Sequence, residues 1–285
     1  MKSVFALLCC LVPAFAMAQA PGLPLVSPPP MASARFFVEG DAEWASTKLN
    51  GTTQPTEFDK TFLPRVALGW AIKPEQIVWG QYRFLHADAS EDWNVGVPDL
   101  ESHASRHVRI NMLDLMYRES LGGEGMPFGL SVDMGTRFSW AYFKDQMENQ
   151  TIAGPQGVER DLNFYAMGGR LGARLFWMFD HSAWQMTLYG QGNFSYLWGQ
   201  FRENAKYDPQ SPLSTNFNNR SWDTVWNYDL EAGLSSYIPG FEGVLQLTLG
   251  YRYEVWAGES LGFMTGGGTG QLTSHGPMIR LQWSF

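Results

Sequence analysis

The chain closes on Gly276-Pro277-Met278-Ile279-Arg280-Leu281-Gln282-Trp283-Ser284-Phe285. Side chains of an extended strand alternate between two faces. Pro277, Ile279, Leu281, Trp283 and Phe285 therefore share one face, and Met278, Arg280, Gln282 and Ser284 the other. A strand with lipid on one side and a polar lumen on the other reads this way. The spacing predicts an all-β chain: a transmembrane antiparallel up-and-down β-barrel.

The rest of the chain agrees. Ile279, Leu281, Trp283 and Phe285 resemble the terminal signal that outer-membrane barrels present to their assembly machinery. Residues 1–20 begin with Lys2, continue through an apolar stretch and end on Ala18-Gln19-Ala20, the pattern of a secretory signal peptide. Ala16-Met17-Ala18 is an alternative cleavage site. Residues 21–33, with Pro24, Pro28, Pro29 and Pro30, read as a stiff extended periplasmic linker before a barrel over 34–285. The only cysteines, Cys9 and Cys10, fall inside the signal. Leu8 stands where a lipoprotein needs a small residue. No disulfide or cysteine metal site is expected in the mature chain.

No stretch reaches the ~20 apolar residues of a spanning helix. The 12 Trp, 11 Tyr and 19 Phe fit aromatic girdles at two membrane interfaces. A net charge of −8 argues against nucleic-acid binding, which usually needs a basic surface.

Reading for period two yields ten segments: 35–46, 62–71, 76–86, 107–120, 128–142, 164–179, 184–201, 222–236, 244–256 and 276–285. The fifth alternates most cleanly, with Phe128, Leu130, Val132, Met134, Phe138, Trp140 and Tyr142 opposite Ser131, Asp133, Arg137 and Ser139. The ninth places Leu245, Leu247, Leu249, Tyr251, Tyr253 and Val255 outward. The fourth changes phase near Met112: Val108 and Ile110 share a face, then Leu113, Leu115 and Tyr117 do. A β-bulge there would reconcile the halves.

The connections alternate in length. Those at 73–75, 121–127, 180–182 and 238–243 are short; those at 47–61, 87–106, 143–161, 202–220 and 257–271 are long and polar. Short periplasmic turns alternating with long external loops are the arrangement of bacterial outer-membrane barrels. Closure is required because lipid satisfies no free backbone groups. Pro64 and Pro277, which lack a donor, are expected at external strand ends.

The inward face collects Arg35, Arg65, Arg83, Arg109, Arg137, Arg170, Arg174, Arg252 and Arg280. Against them stand Glu39, Asp41, Glu43, Asp133, Asp229, Glu231 and Glu254. Barrels of about eight strands are filled by side chains and those of 16–18 leave a channel, so ten lies near the closed end. Two readings compete: interlocked ion pairs that seal the lumen, or a charged constriction that selects small solutes or ions. Ala67, Gly69, Gly168, Gly172, Gly233 and Gly250, also inward, leave room for a water path or mark bends.

Trp226-Asn227-Tyr228-Asp229-Leu230-Glu231-Ala232-Gly233-Leu234, Leu247-Thr248-Leu249-Gly250-Tyr251-Arg252-Tyr253-Glu254 and His275-Gly276-Pro277 resemble the porin-like family typified by the Legionella major outer membrane protein. Asn111-Met112-Leu113-Asp114-Leu115-Met116-Tyr117-Arg118 and Gly168-Gly169-Arg170-Leu171-Gly172 are similar to the same pattern. The resemblance implies a pore-forming outer-membrane protein, and the expected partners are outer-membrane lipid, lipopolysaccharide, the barrel assembly machinery and small solutes or ions. It supplies no catalytic residue and no cofactor. The chain lacks the cysteines by which some such proteins cross-link.

Other chemistry is thin. His86, Asp88, Glu91, Asp92, Asp99, Glu101, His103 and His107 gather around the second long connection. They could form a general base or a metal site, or simply a solvated acidic loop. The connections with Asp208 and Glu259 bring no histidine, and no Gly-x-Ser-x-Gly elbow occurs. The expectation is a narrow porin-like pore, with a sealed structural or adhesion barrel as the alternative and a barrel hydrolase third.

Overall fold

The computed structural model describes residues 35–50, 56–73, 75–94, 101–121, 128–151, 154–181, 184–207, 217–240, 243–259, 261 and 270–285. The expected signal peptide and Pro-rich linker lie outside them. Ten strands follow in order: β1 (Phe36–Asn50), β2 (Thr56–Lys73), β3 (Gln76–Asn94), β4 (Glu101–Ser120), β5 (Phe128–Thr151), β6 (Gly154–His181), β7 (Trp184–Tyr207), β8 (Phe217–Gly240), β9 (Gly243–Gly258) and β10 (Gly270–Ser284). Each pairs antiparallel with the next, and β10 returns to β1, so the sheet closes as a barrel. At the seam the Phe285 amide donates to Phe36 O at 2.9 Å, and the Arg35 and Phe36 amides donate to Phe285 O at 3.0 Å.

The terminal strand behaves as its pattern predicts. Leu281, Trp283 and Phe285 are about half exposed, while Arg280, Gln282 and Ser284 are buried. The same parity holds around the barrel, where Leu68, Leu115, Met134, Leu171 and Leu249 form an outer apolar band. Two aromatic rings bound that band. Below, Phe36 stacks on Trp70 at 6.1 Å and on Phe285 at 6.2 Å, and Phe128 pairs with Trp177 at the same end of β5 and β6. Above, Trp44 meets Phe62 at 5.9 Å, Tyr82 meets Trp140 at 6.2 Å, and Trp198 stacks on Trp222 at 4.4 Å. From Phe128 to Trp140 the strand runs roughly 40 Å, about 30 Å of height at a ~40° tilt, enough to cross the hydrocarbon.

The strands are longer than the sequence reading had them. Most of what read as long polar loops is strand: β5 and β6 pair continuously from Phe128↔Trp177 to Thr151↔Gly154. Above the upper aromatic ring the alternation continues with its chemistry reversed. Ser46, Lys48, Asp88, Arg109, Lys144 and Arg202 face outward, and Leu49, Leu85, Ile110, Phe143, Phe164 and Phe201 face inward. Water replaces lipid outside at that level, so the apolar side chains must turn in to be buried. From Trp140 to Thr151 is roughly 35 Å of strand, or about 25 Å of height beyond the membrane.

This reversal corrects the expected bulge in β4. The registers of β4 with β3 and with β5 run through Met112 without a shift. Val108, Ile110, Met112, Asp114 and Met116 all point inward, and Arg109, Leu113, Leu115 and Tyr117 outward. The strand keeps one phase; its surroundings change. The prolines also stand elsewhere than expected. Pro64 pairs with Ala42 and Pro277 with Tyr251, both well inside their strands, because the strand ends lie higher than the loop composition suggested. Val255 has the outward parity expected of it yet is buried, a departure from the expected exposure.

Candidate functional site

The lumen at membrane level is a belt of opposite charges. Arg65, Arg83, Arg118, Arg137, Arg170, Arg174, Arg252 and Arg280 share it with Glu39, Asp41, Glu43, Asp114, Asp133, Asp229, Glu231 and Glu254. The two sets are equal in number, so the belt is neutral overall. Their strands bring them together because inward parity repeats every second residue on all ten.

The belt has two centres. In one, Arg252 reaches Glu231 at 2.8 Å, Asp41 at 3.0 Å and Glu43 at 3.1 Å. Arg280 reaches Glu231 at 2.5 Å and both Glu39 and Asp41 at 3.3 Å. Arg65 joins through Glu39 at 2.7 Å and through Asp41. In the other, Arg137 grips both oxygens of Asp114 at 2.7 and 2.8 Å. Arg170 donates to the same carboxylate at 2.6 Å and to Asp229 at 3.1 Å. Arg83 bridges the centres through Glu254, which also accepts from Asn227 at 3.0 Å. Forked, charge-assisted contacts of this kind fix geometry as well as register.

Of the lumen residues expected from sequence, Glu39, Asp41, Glu43, Arg65, Arg83, Asp133, Arg137, Arg170, Asp229, Glu231, Arg252, Glu254 and Arg280 all meet in this belt. Arg174 faces the lumen too; its guanidinium lies 4.9 Å over Tyr189, and among the described residues it has no carboxylate partner. Arg109 does not belong: it is exposed on the outer wall, because β4 keeps its phase. Arg35 is likewise exposed, just ahead of β1. Around three of the inward glycines the space is taken. Phe37 fills the space at Gly69, Asn193 that at Gly172, and at Gly168 a Cβ would overlap the Tyr196 backbone.

Sequence reasoning missed Asp114, Arg118 and Tyr189. Arg118 holds Asp133 with two bonds of 2.7 and 3.0 Å, and Tyr189 donates to Glu231 at 2.7 Å. Unbroken parity through β4 would have found the first two.

Above the belt the lumen changes character. Leu49, Leu63, Leu85, Ile110, Met112, Phe143, Phe164, Phe201 and Leu272, none more than 2% exposed, belong to one contiguous apolar cluster to which every strand contributes. Phe164 and Phe201 stack across strands at 4.2 Å. Trp256 lies between the two regions, its ring 5.9 Å from the fully buried Arg137 guanidinium.

The histidines are outside this interior. His107 Nδ1 lies 2.5 Å and His86 Nε2 3.2 Å from Asp88 Oδ1, all three on the outer wall above the upper ring. Slight burial pushes the Asp88 carboxyl up, but its hydrogen bonds and charge contacts with His107 and His86 outweigh this and hold it below the ordinary range. His103 is exposed on the same strand. The side chains of Glu91, Asp92 and Glu101, and the whole of Asp99 and Asp208, lie outside the described residues; Glu259 is exposed. Among the described residues no group of three or more such side chains is placed to hold a metal ion.

No family model and no curated protein matches this chain. Its fold is similar to the outer membrane protease OmpT from Escherichia coli, with a TM-score of 0.53 at 11% identity over 88% of this chain and 97% of that one. Weaker likenesses include the translocator domain of the autotransporter NalP from Neisseria meningitidis (TM-score 0.45, 12% identity, 89% of each chain). Neisserial surface protein A gives 0.34 at 13% identity over 88% of this chain and 97% of that one. The likeness to OmpT bears on the fold alone: this is the architecture of an outer-membrane β-barrel.

Proposed function

We propose that this chain is a sealed barrel of the bacterial outer membrane that anchors a projecting external β-wall, a structural or adhesion protein and not a solute pore. The carrying observation is the apolar plug. Side chains from all ten strands meet above the charged belt and are almost wholly buried. An ion crossing that layer would shed most of its hydration against a lining that is chiefly apolar, with Glu203 and the Arg106–Asp145 pair as the nearest buried charges. The porin-like resemblance of the short motifs favours the narrow pore instead, and the plug is what weighs against it. In this reading the belt is scaffolding, the chain carries out no catalysis, and the partners are outer-membrane lipid, the assembly machinery and whatever meets the external wall.

Planar-bilayer recording of the full-length protein tests this directly. No discrete conductance steps are expected from heat-modifiable, folded barrels. Reproducible steps would restore the pore.

A further inference from the structure

Above the aromatic ring the outer wall is largely hydrophilic, and at one place two like charges face each other. Arg202 on β7 and Arg220 on β8 are directly opposed cross-strand partners, both exposed and both pointing outward. Like charges so placed repel. Among the described residues neither has a carboxylate within salt-bridge distance; Arg202 donates only to Gln200, at 3.1 Å. Two other cations on this wall have anionic partners: Lys48 pairs with Glu57, and Lys144 with Glu159 at 2.7 Å.

The register places an apolar groove immediately on the membrane side of that pair. Trp222, two residues below Arg220, stacks at 4.4 Å on Trp198, four residues below Arg202. With Phe138, Trp140, Tyr165 and Met167 they line a groove of about 610 Å³ on the lipid-facing surface of β5 to β8. Beside the arginines stand amides: Asn163 is the partner of Arg202 across the β6–β7 register, and Asn204 that of Asn218 across β7–β8.

We propose that this patch binds a phosphorylated glycolipid of the lipid A type. Paired guanidinium forks suit a phosphate monoester, to which each can donate two hydrogen bonds. The neighbouring amides suit sugar hydroxyls, and the groove below suits an acyl chain, its aromatic walls sitting at headgroup depth. A diacyl phospholipid offers one phosphodiester and no sugar, so it meets fewer of these groups. The inference rests on the reading above that the long strand ends stand outside the cell, where such a lipid forms the leaflet.

The test uses the full chain folded into phosphatidylcholine vesicles that contain either diphosphoryl lipid A or charge-matched phosphatidylglycerol. Lipid retained per barrel is read by native mass spectrometry. Lipid A should be held at least about tenfold more tightly than phosphatidylglycerol. Arg202→Gln/Arg220→Gln should lose about tenfold or more of that affinity, as expected for charged hydrogen bonds. Arg202→Lys/Arg220→Lys, which keeps the charge and loses the fork, should fall between. Lys206→Gln, exposed higher on β7, should change little. Equal retention of both lipids, or a double glutamine variant that binds like the parent, overturns the site. Heat-modifiable mobility reports folding of every variant. Conductance steps would sink the sealed-barrel reading and leave this result standing, so the two can fail separately.

Discussion

Asp114 accepts hydrogen bonds from two guanidinium groups, with Arg137 Nε and Nη2 on its two oxygens and Arg170 Nη1 on one of them, and Gln81 donates as well. Neither Asp114 nor Arg137 has any exposure. Such a pair contributes little net stability compared with a well-packed apolar one, yet losing one member leaves the other buried and unpaired. Asp114→Ala should therefore destabilise the barrel by about 3–5 kcal/mol, read as a shift in urea unfolding followed by tryptophan fluorescence. Asp114→Ala combined with Arg137→Met should recover part of that loss, because the second stranded charge is removed. A single variant of near-parental stability would mean that the two centres do not act as a network.

A whole strand shows why such residues were hard to read. In β4 the apolar side chains change faces between Leu113 and Ile110, which looks like a shift of phase when hydrophobicity is equated with the outside. The backbone keeps its register; the solvent on the outer face goes from lipid to water. That assumption hid Asp114 and Arg118 and put Arg109 in the lumen. Where the surroundings are uniform, as in β10 from Met278 onward and the lower half of β5, period two alone recovered face and lumen residue together. The external strand ends were lost for the same reason: a stretch polar outside and apolar inside, such as Arg202 and Lys206 beside Phe201 and Ala205, has the average composition of a loop. The prediction for β4 follows from depth. Leu115→Arg, facing lipid, should cost about 2–4 kcal/mol. Ile110→Ala, in the plug, should cost about 2–5 kcal/mol through the cavity it leaves. Arg109→Leu, in water, should stay within about 0.5 kcal/mol. Urea titrations of the three variants in one lipid check the order, and a costly Arg109→Leu would contradict the outward assignment.

On the scale of the molecule, one barrel wall serves two solvents by exchanging what lies inside with what lies outside. In the membrane the polar side chains face in and satisfy one another, since lipid offers them nothing. Beyond it most inward side chains are apolar, and the upper barrel is built like a water-soluble protein; in the proposed reading its core closes the bore. On that reading sealing follows from carrying strands well past the headgroups: a wall that is wet outside needs a dry interior to hold it. The position of the boundary is open to direct measurement, because Cys9 and Cys10 are the chain's only cysteines and both fall in the expected signal peptide. Single variants Ser46→Cys, Arg109→Cys and Arg202→Cys should react with a membrane-impermeant maleimide on intact cells. Val38→Cys, Leu115→Cys and Leu171→Cys should be protected by lipid, and Ala141→Cys and Ala166→Cys by the plug. The decisive pair is Arg109→Cys against Ala141→Cys, which stand at neighbouring levels on opposite faces of the wall. Equal labelling of those two would place water inside the upper barrel, and the inversion on which the sealed reading stands would be wrong.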